Sequence, residues 1–197
     1  MSEPVGVSKI GETSFSQIFT NTADQEVISA VLPGGSAVTY PLGTALVDGA
    51  TIGTKAKYTN APAIGNEAVA TGDGSTTTFD LDQSNVLAST LKGFVAGVEW
   101  DVTLSVGTGA GGKDQIVFAT APTNSAAITA DYNYHSSSKG VTGACILMAA
   151  EATTVAGGNV ISNGLVSGTV NSSKIVDSAA AAVDSFFKAA LPKIRFA

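Results

Sequence analysis

The sequence predicts a mainly β protein in which an antiparallel β-sandwich is inserted into a second β domain, and three observations carry that expectation. Small and β-branched residues dominate: Ala, Gly, Ser, Thr and Val supply 114 of the 197 residues, a usage suited to pleated strands and tight turns rather than long helices. In the middle of the chain, apolar residues recur with period two, the spacing of a strand with one wet face. The charge is also unevenly shared. Residues 58–136 hold eight acids against Lys92 and Lys113, while residues 1–57 hold five acids and three bases and residues 137–197 hold three acids and five bases. The loop-type clusters Asn60-Ala61-Pro62 and Ser136-Ser137-Ser138 bracket the acidic segment. Residues 61–136 are therefore expected as an inserted domain, and residues 31–60 and 137–197 as the two pieces of the domain it interrupts. Residues 1–30 are expected as an extended N-terminal arm.

The elements follow in chain order. Residues 1–30 scatter Val5, Val7, Ile10, Phe15, Ile18 and Phe19 among polar neighbours without a dense core pattern, so the arm has little reason to fold alone. From Val31 the chain carries short β-type runs broken by glycine, at 37–40, 44–47 and 54–58. In the acidic segment, Phe79 and Leu81 alternate with Thr78, Asp80 and Asp82. Trp100, Val102, Leu104 and Val106 alternate with Glu99, Asp101, Thr103 and Ser105, and Ile128, Ala130, Tyr132 and Tyr134 with Thr129, Asp131 and Asn133. Turn signals separate these runs at Gly72-Asp73-Gly74, in the glycines of residues 107–112, and at Ala121-Pro122-Thr123-Asn124. With residues 91–98 and 115–118 this gives about five strands, enough for a small sandwich. Its expected core is Phe79, Leu81, Phe94, Trp100, Leu104, Ile116, Phe118, Ile128 and Tyr132. Further β-type runs fall at 142–148, 159–165 and 166–170. The chain then predicts one helix, with Asp177 or Ser178 as N-cap, the strong helix formers at 179–182, and Val183, Phe186, Phe187 and Ala190 at helical spacing before Pro192. Lys193-Ile194-Arg195-Phe196 alternates again and is suited to closing a sheet.

Composition also excludes function classes. A net charge of −6 and an isoelectric point near 4.6 have the wrong sign for counterion release from a phosphate backbone, so direct nucleic-acid binding is not expected. One cysteine, Cys145, and one histidine, His135, supply neither an intrachain disulfide nor a Cys/His zinc cluster. The first twenty residues hold no continuous apolar stretch, and the longest apolar run, at 141–150, is far short of the ~20 residues of a membrane span. The expectation is a soluble protein that meets no membrane.

Single motifs read as structure. Gly107-Thr108-Gly109-Ala110-Gly111-Gly112-Lys113 has the spacing of a dinucleotide fingerprint and nearly that of a phosphate loop. Both motifs need a helix immediately afterwards, and here a strand follows, with Asp114 where a phosphate loop needs Ser or Thr. A hairpin loop is expected. His135 is expected on a surface loop without a positioned nucleophile, and Cys145 as an inert core thiol among Ala144, Ile146 and Leu147. Asp73, Asp80 and Asp82 lack the spacing of a calcium loop. Asn171-Ser172-Ser173 is a glycosylation sequon that matters only on a secretory route. Phe186 and Phe187 read as helix core, or as a subunit contact if a ring faces outward. No constellation supports an enzyme, and no catalytic residue, metal or cofactor is expected.

Four stretches resemble tailed-phage head decoration proteins of the lambda type: Leu42-Gly43-Thr44-Ala45-Leu46-Val47, Gly143-Ala144-Cys145-Ile146-Leu147, Asn163-Gly164-Leu165-Val166, and the Ala-rich helix running into Leu191-Pro192-Lys193-Ile194-Arg195-Phe196. Together they span roughly residues 31–58 and 139–197. The middle segment resembles a β-sandwich module frequent in phage structural proteins. It does so through Gly72-Asp73-Gly74-Ser75-Thr76-Thr77-Thr78-Phe79, Ile116-Val117-Phe118-Ala119-Thr120-Ala121-Pro122 and Ala127-Ile128-Thr129-Ala130-Asp131-Tyr132. The plain lambda-type protein is shorter and lacks this insertion. The resemblance implies a small tulip-like β-barrel with a C-terminal helix, interrupted by an Ig-like sandwich. It further implies a homotrimer on the outer surface of the mature virion capsid, at three-fold and quasi-three-fold positions, stabilising the head against internal DNA pressure. The major capsid protein is the implied partner. Val5, Val7, Ile10, Phe15, Ile18 and Phe19 of the arm would add a strand to an exposed capsid sheet edge, and Phe186, Phe187, Ile194 and Phe196 are the expected trimer contacts. The alternative is a tail or baseplate adhesin whose sandwich binds host-surface glycans, with Trp100, Tyr132 and Tyr134 as a stacking face.

Overall fold

The computed structural model describes residues 19–34, 37–148, 151–153 and 158–197. Strands make up 46 % of it and helical residues 9 %, so the protein is mainly β, with antiparallel sheets and, among the described residues, one α-helix. The chain forms two compact units, one from the residues up to Asn60 together with Val141–Ala197, the other from Ala61–Gly140. The first unit opens with β1 (Phe19–Leu32), β2 (Thr39–Pro41), β3 (Ala45–Asp48) and β4 (Lys55–Lys57). The second holds β5 (Ala63–Thr71), β6 (Thr78–Asp80), β7 (Lys92–Val95), β8 (Val98–Trp100), β9 (Val102–Ser105), β10 (Gln115–Phe118) and β11 (Ala127–Asn133). The chain then completes the first unit with β12 (Cys145–Leu147), β13 (Glu151–Thr153), β14 (Val160–Val170), α1 (Ser185–Ala189) and β15 (Ile194–Phe196).

In the first unit β14 is the hub. It pairs antiparallel with β1, from Leu32↔Val160 to Val27↔Leu165 in continuous register and then through bulges to Phe19↔Val170. It also pairs with β12 at Ile146↔Leu165 and, at its far end, in parallel with β15 at Gly168↔Ile194 and Val170↔Phe196. The sheet continues through β3 to β4. Its two end strands, β1 and β4, come back near each other, yet among the described residues no backbone ladder joins them, so the expected barrel is not closed. The central strands are buried on both faces. Ala45, Val47 and Ile146 pack on one side with Tyr58, Val183, Phe187, Leu191 and Ile194, while Leu46, Cys145 and Leu147 pack on the other with Ala30, Leu32 and Tyr40. Burying aliphatic side chains on both sides is the main stabilising term here, at roughly 25 cal/mol per Å² of apolar surface.

Two expectations for this unit are corrected. The arm does not run to residue 30: Phe19–Leu32 already pair with β14, and Ala30 and Leu32 are fully buried. Residues 19–32 are one strand of a sheet whose partner lies over a hundred residues away in sequence. The helix is also shorter and later than expected. Asp177 does not start it. Its Oδ1 accepts from the backbone N–H groups of Ala179 and Ala181, both at 2.9 Å, and Ala180 takes φ +61°, so residues 178–182 close into a loop. Helix α1 begins at Ser185, with Asp184 as N-cap accepting from the Phe187 N–H at 2.9 Å. The helix preference of alanine, worth only tenths of a kcal/mol per residue over other residues, yields to these side-chain-to-backbone bonds.

The second unit places β6, β10 and β9 in one sheet and β5, β11, β7 and β8 in another. Leu81, Ile116 and Phe118 from the first meet Val95, Ile128, Ala130 and Tyr132 from the second in a shared core, with Phe79, Trp100 and Leu104 partly buried against it. The run from Trp100 to Val106, expected as one strand, breaks at Asp101: β8 pairs with β7 and β9 with β10, so the chain changes sheets there. Strand β5 was hidden by bulges that break its alternation against β11, one of them at Asn66 with φ +56°. Phe94 is a correction to the expected core. It lies half-buried on the opposite face, and its neighbours Gly93 and Val95 point inward. Gly93 is glycine for a steric reason: a Cβ there would stand 2.6 Å from Val102 Cγ1 and 2.8 Å from Ile116 Cδ1.

Candidate functional site

The polar groups of the glycine-rich segment and of its neighbouring loops are engaged in holding those loops. In the glycine-rich connection between β9 and β10, Gly107 N–H donates to Asp114 Oδ1 at 2.7 Å and Ala110 N–H to Asp80 Oδ2 at 3.1 Å. Gly109 and Gly112 N–H donate to the carbonyls of Lys113 and Gly109. Lys113 Nζ reaches Asp82 Oδ1 at 3.2 Å. A phosphate would meet carboxylates here, and these four amides are already used; strand β10 follows directly, so the hairpin loop stands. Asp114 is almost fully buried, and its second oxygen accepts from Val86 N–H at 2.8 Å.

The other candidates are likewise structural in placement. Cys145 is fully buried, and burial pushes its thiol up to about 11, with Lys55 pulling down and Asp48 pushing up. His135 donates its backbone N–H to Asn85 O and lays its ring near Gly140. Asp73 folds a turn by accepting from Ser75 N–H, Thr76 N–H and Thr76 Oγ1. Those bonds, the Thr76 hydroxyl first, hold its carboxyl well below the usual carboxylate range. Asn171 caps the 3-10 turn Ser172–Lys174 by accepting from Ser173 N–H. Among the described residues no three His, Cys, Asp or Glu side chains gather as a metal site.

Of the aromatic trio expected as a sugar-stacking face, Tyr132 is buried and its hydroxyl donates to Glu67, a short bond. Burial, then Glu67, raises the pKa of that hydroxyl. Tyr134 packs edge-on to Tyr132 at 6.4 Å and Trp100 edge-on to Phe118 at 6.2 Å. The trio is not a flat exposed platform.

The expected interface residues divide three ways. Val5, Val7, Ile10, Phe15 and Ile18 lie outside the described residues, while Phe19 opens β1 opposite Val170. Phe187 and Ile194 are corrected as trimer contacts: both are buried in their own unit's core, Phe187 against the Tyr58 ring at 4.9 Å. Tyr58 also donates its hydroxyl to Asp184 Oδ2 at 2.8 Å, so the C-terminal segment is locked onto β4's end of the sheet. Phe186 and Phe196 keep partial exposure, the latter with Lys188 Nζ 5.7 Å above its ring.

Two surface features lie outside what the sequence predicts. An open apolar cleft of about 330 Å³ lies in the first unit, walled by Val141, Ala144, Val166, Ala190, Leu191 and Pro192 and bordered by the Glu26–Lys193 ion pair at 3.1 Å. Ile52, in the turn between β3 and β4, is 98 % exposed. Its signal was available, since it is a lone large aliphatic in the otherwise small and uncharged stretch Gly49-Ala50-Thr51-Ile52-Gly53-Thr54. The cleft had none, because its walls come from three separate stretches of chain. Compared with protein-family models, curated proteins and solved structures, the chain has no match.

Proposed function

We propose that the chain is a capsid decoration protein of a tailed phage, a homotrimer that binds the outer surface of the mature head and clamps neighbouring capsomers against internal pressure. One observation carries the reading. The stretches that resemble the lambda-type family, remote from one another in sequence, come together in a single sheet as β3, β12, β14 and β15, with α1 packed into the core on one side. On this reading the curled sheet of the first unit is the tulip-like decoration domain, and Ala61–Gly140 is an Ig-like sandwich inserted into it, projecting its acidic surface outward.

The clamp is narrowed to residues 1–18, since β1 occupies the rest of the expected arm. A segment carrying Val5, Val7, Ile10, Phe15 and Ile18 would pair its backbone with a capsid sheet edge and seat alternate side chains in pockets, and three such contacts per trimer act together through avidity. The test is co-sedimentation of the full chain with mature, DNA-free phage capsids. Deleting residues 2–18 is expected to abolish binding while leaving the fold intact; undiminished binding removes the arm from the mechanism, and a full chain that stays in the supernatant removes the decoration reading itself.

A further inference from the structure

We infer that the inserted unit, Ala61–Gly140, is a clasp for the unit it interrupts: once folded, it holds the two separated pieces of that unit on a short tie and so stabilises their assembly. The inference is independent of the capsid reading.

The first unit needs both of its pieces. Its ladders join one piece to the other, β1 to β14, β2 to β13 and β3 to β12, and among the described residues only β3 and β4 pair within the first piece. The bonds where the chain leaves this unit and returns to it cross between the pieces as well. On leaving, Ser178 N–H donates to Tyr58 O at 2.7 Å, Asn60 Nδ2 to Ala182 O at 2.8 Å and Asp184 N–H to Asn60 Oδ1 at 2.9 Å. On return, Asp48 N–H donates to Thr142 O at 2.8 Å and Lys55 Nζ to Gly143 O at 2.6 Å. None of these can form until residues up to 60 meet residues from 141 onward.

The second unit has no such requirement. It is one continuous stretch, and its core cluster draws on its own residues alone. Its folding also brings its two ends together. Ala63 and Asn133 face each other across the β5–β11 ladder, Tyr134 N–H donates to Pro62 O at 3.1 Å, and Asn133 Nδ2 donates to Ala61 O at 3.2 Å. With this rung closed, only Ala61 and residues 135–140 lie between it and the first unit, in place of the whole of residues 61–140. The entropic cost of closing a loop grows with the logarithm of its length, so replacing the path through Ala61–Gly140 by this short one favours the assembled first unit by roughly thirtyfold. A disulfide at the same place would act on the unfolded chain in the same way.

The test uses the full chain and two reporters it already carries, the buried thiol of Cys145 in the first unit and Trp100 in the second. Reaction of Cys145 with an aromatic disulfide reagent reads how often the first unit opens. Inserting about twenty Gly/Ser residues between Ser136 and Ser137, both exposed and outside the rung, lengthens the tie and is expected to speed labelling roughly sixfold, with the urea midpoint of Trp100 fluorescence unchanged. The same segment placed between Gly111 and Gly112, in an exposed loop inside the clasp, is expected to leave labelling unchanged. Ile116→Asp puts a charge into the second unit's core; it is expected to abolish the folded Trp100 signal and to speed Cys145 labelling roughly thirtyfold. Labelling unmoved by the Ser136–Ser137 insertion, moved equally by both insertions, or accelerated far beyond thirtyfold in Ile116→Asp would each overturn the clasp, the last by showing that the units depend on each other through more than a tie.

Discussion

The two units are built from the same kind of strand but bury it differently. In Ala61–Gly140, strands such as β11 alternate buried and half-exposed residues along their length, Ile128, Ala130 and Tyr132 facing the shared core. In the other unit, β12 is buried at all three positions, with Ile146 in one cluster and Cys145 and Leu147 in another. A strand with one wet face writes its orientation into the sequence as alternation. A strand covered on both faces becomes a plain apolar run, and only its neighbours reveal which side is which.

The sharpest way to break this comparison is to empty one core at a time. Phe187→Ala is expected to cost about 3–5 kcal/mol in the unit that contains it. The single tryptophan, Trp100, sits in the other unit, so its fluorescence in a urea titration should hold its midpoint while circular dichroism shows an earlier transition. Ile116→Ala should do the reverse, moving the fluorescence midpoint. Identical shifts in both probes for either variant would mean that the units unfold as one.

A smaller effect tests the inward glycine. Gly93→Ala places a Cβ against Val102 and Ile116 and is expected to cost about 1–3 kcal/mol by overpacking. Gly65→Ala, where a Cβ meets nothing within 4 Å, should cost far less in the same fluorescence-monitored titration. Equal costs would remove close packing as the reason for Gly93.

The smallest effect is electrostatic and confined to the acidic unit. Bonds from Gln115 and the Ala110 N–H, with Lys113 nearby, hold the Asp80 carboxyl below its ordinary 3.8. A depressed folded value gives stability that is present above the unfolded value and lost as pH falls through the folded one. The Trp100-reported urea midpoint is therefore expected to fall on acidification below 3.8, and to fall less in Asp80→Asn. An equal acid slope in the two proteins would assign the loss to other carboxylates.

Much of the fold was legible where local physics dominates. Strand β10 spans the residues expected of it, 115–118, and β11 covers most of the alternating run ending at Tyr134, because each buries one face. Phe94 was misplaced because the inward position beside it is a glycine and leaves no hydrophobic mark. Strand β1 looks like an arm in the sequence because its partner β14 begins at Val160. Alanine propensity places the helix too early, since it carries no mark of the loop that Asp177 closes. Phe187 and Ile194 looked like contact residues by type, and only packing shows that their own core uses them.

By itself, the sequence determined the β class, the acidic middle segment and the strands whose alternation encodes one wet face, since these depend on composition and on neighbours two residues apart. Tertiary structure alone decided that β1 and β15 both pair with β14, that Asp184 rather than Asp177 caps the helix, and that separate stretches wall one apolar cleft. Pairing of β1 with β14 spans more than a hundred positions and that of β15 with β14 spans twenty-six, and no local pattern records which strands will meet.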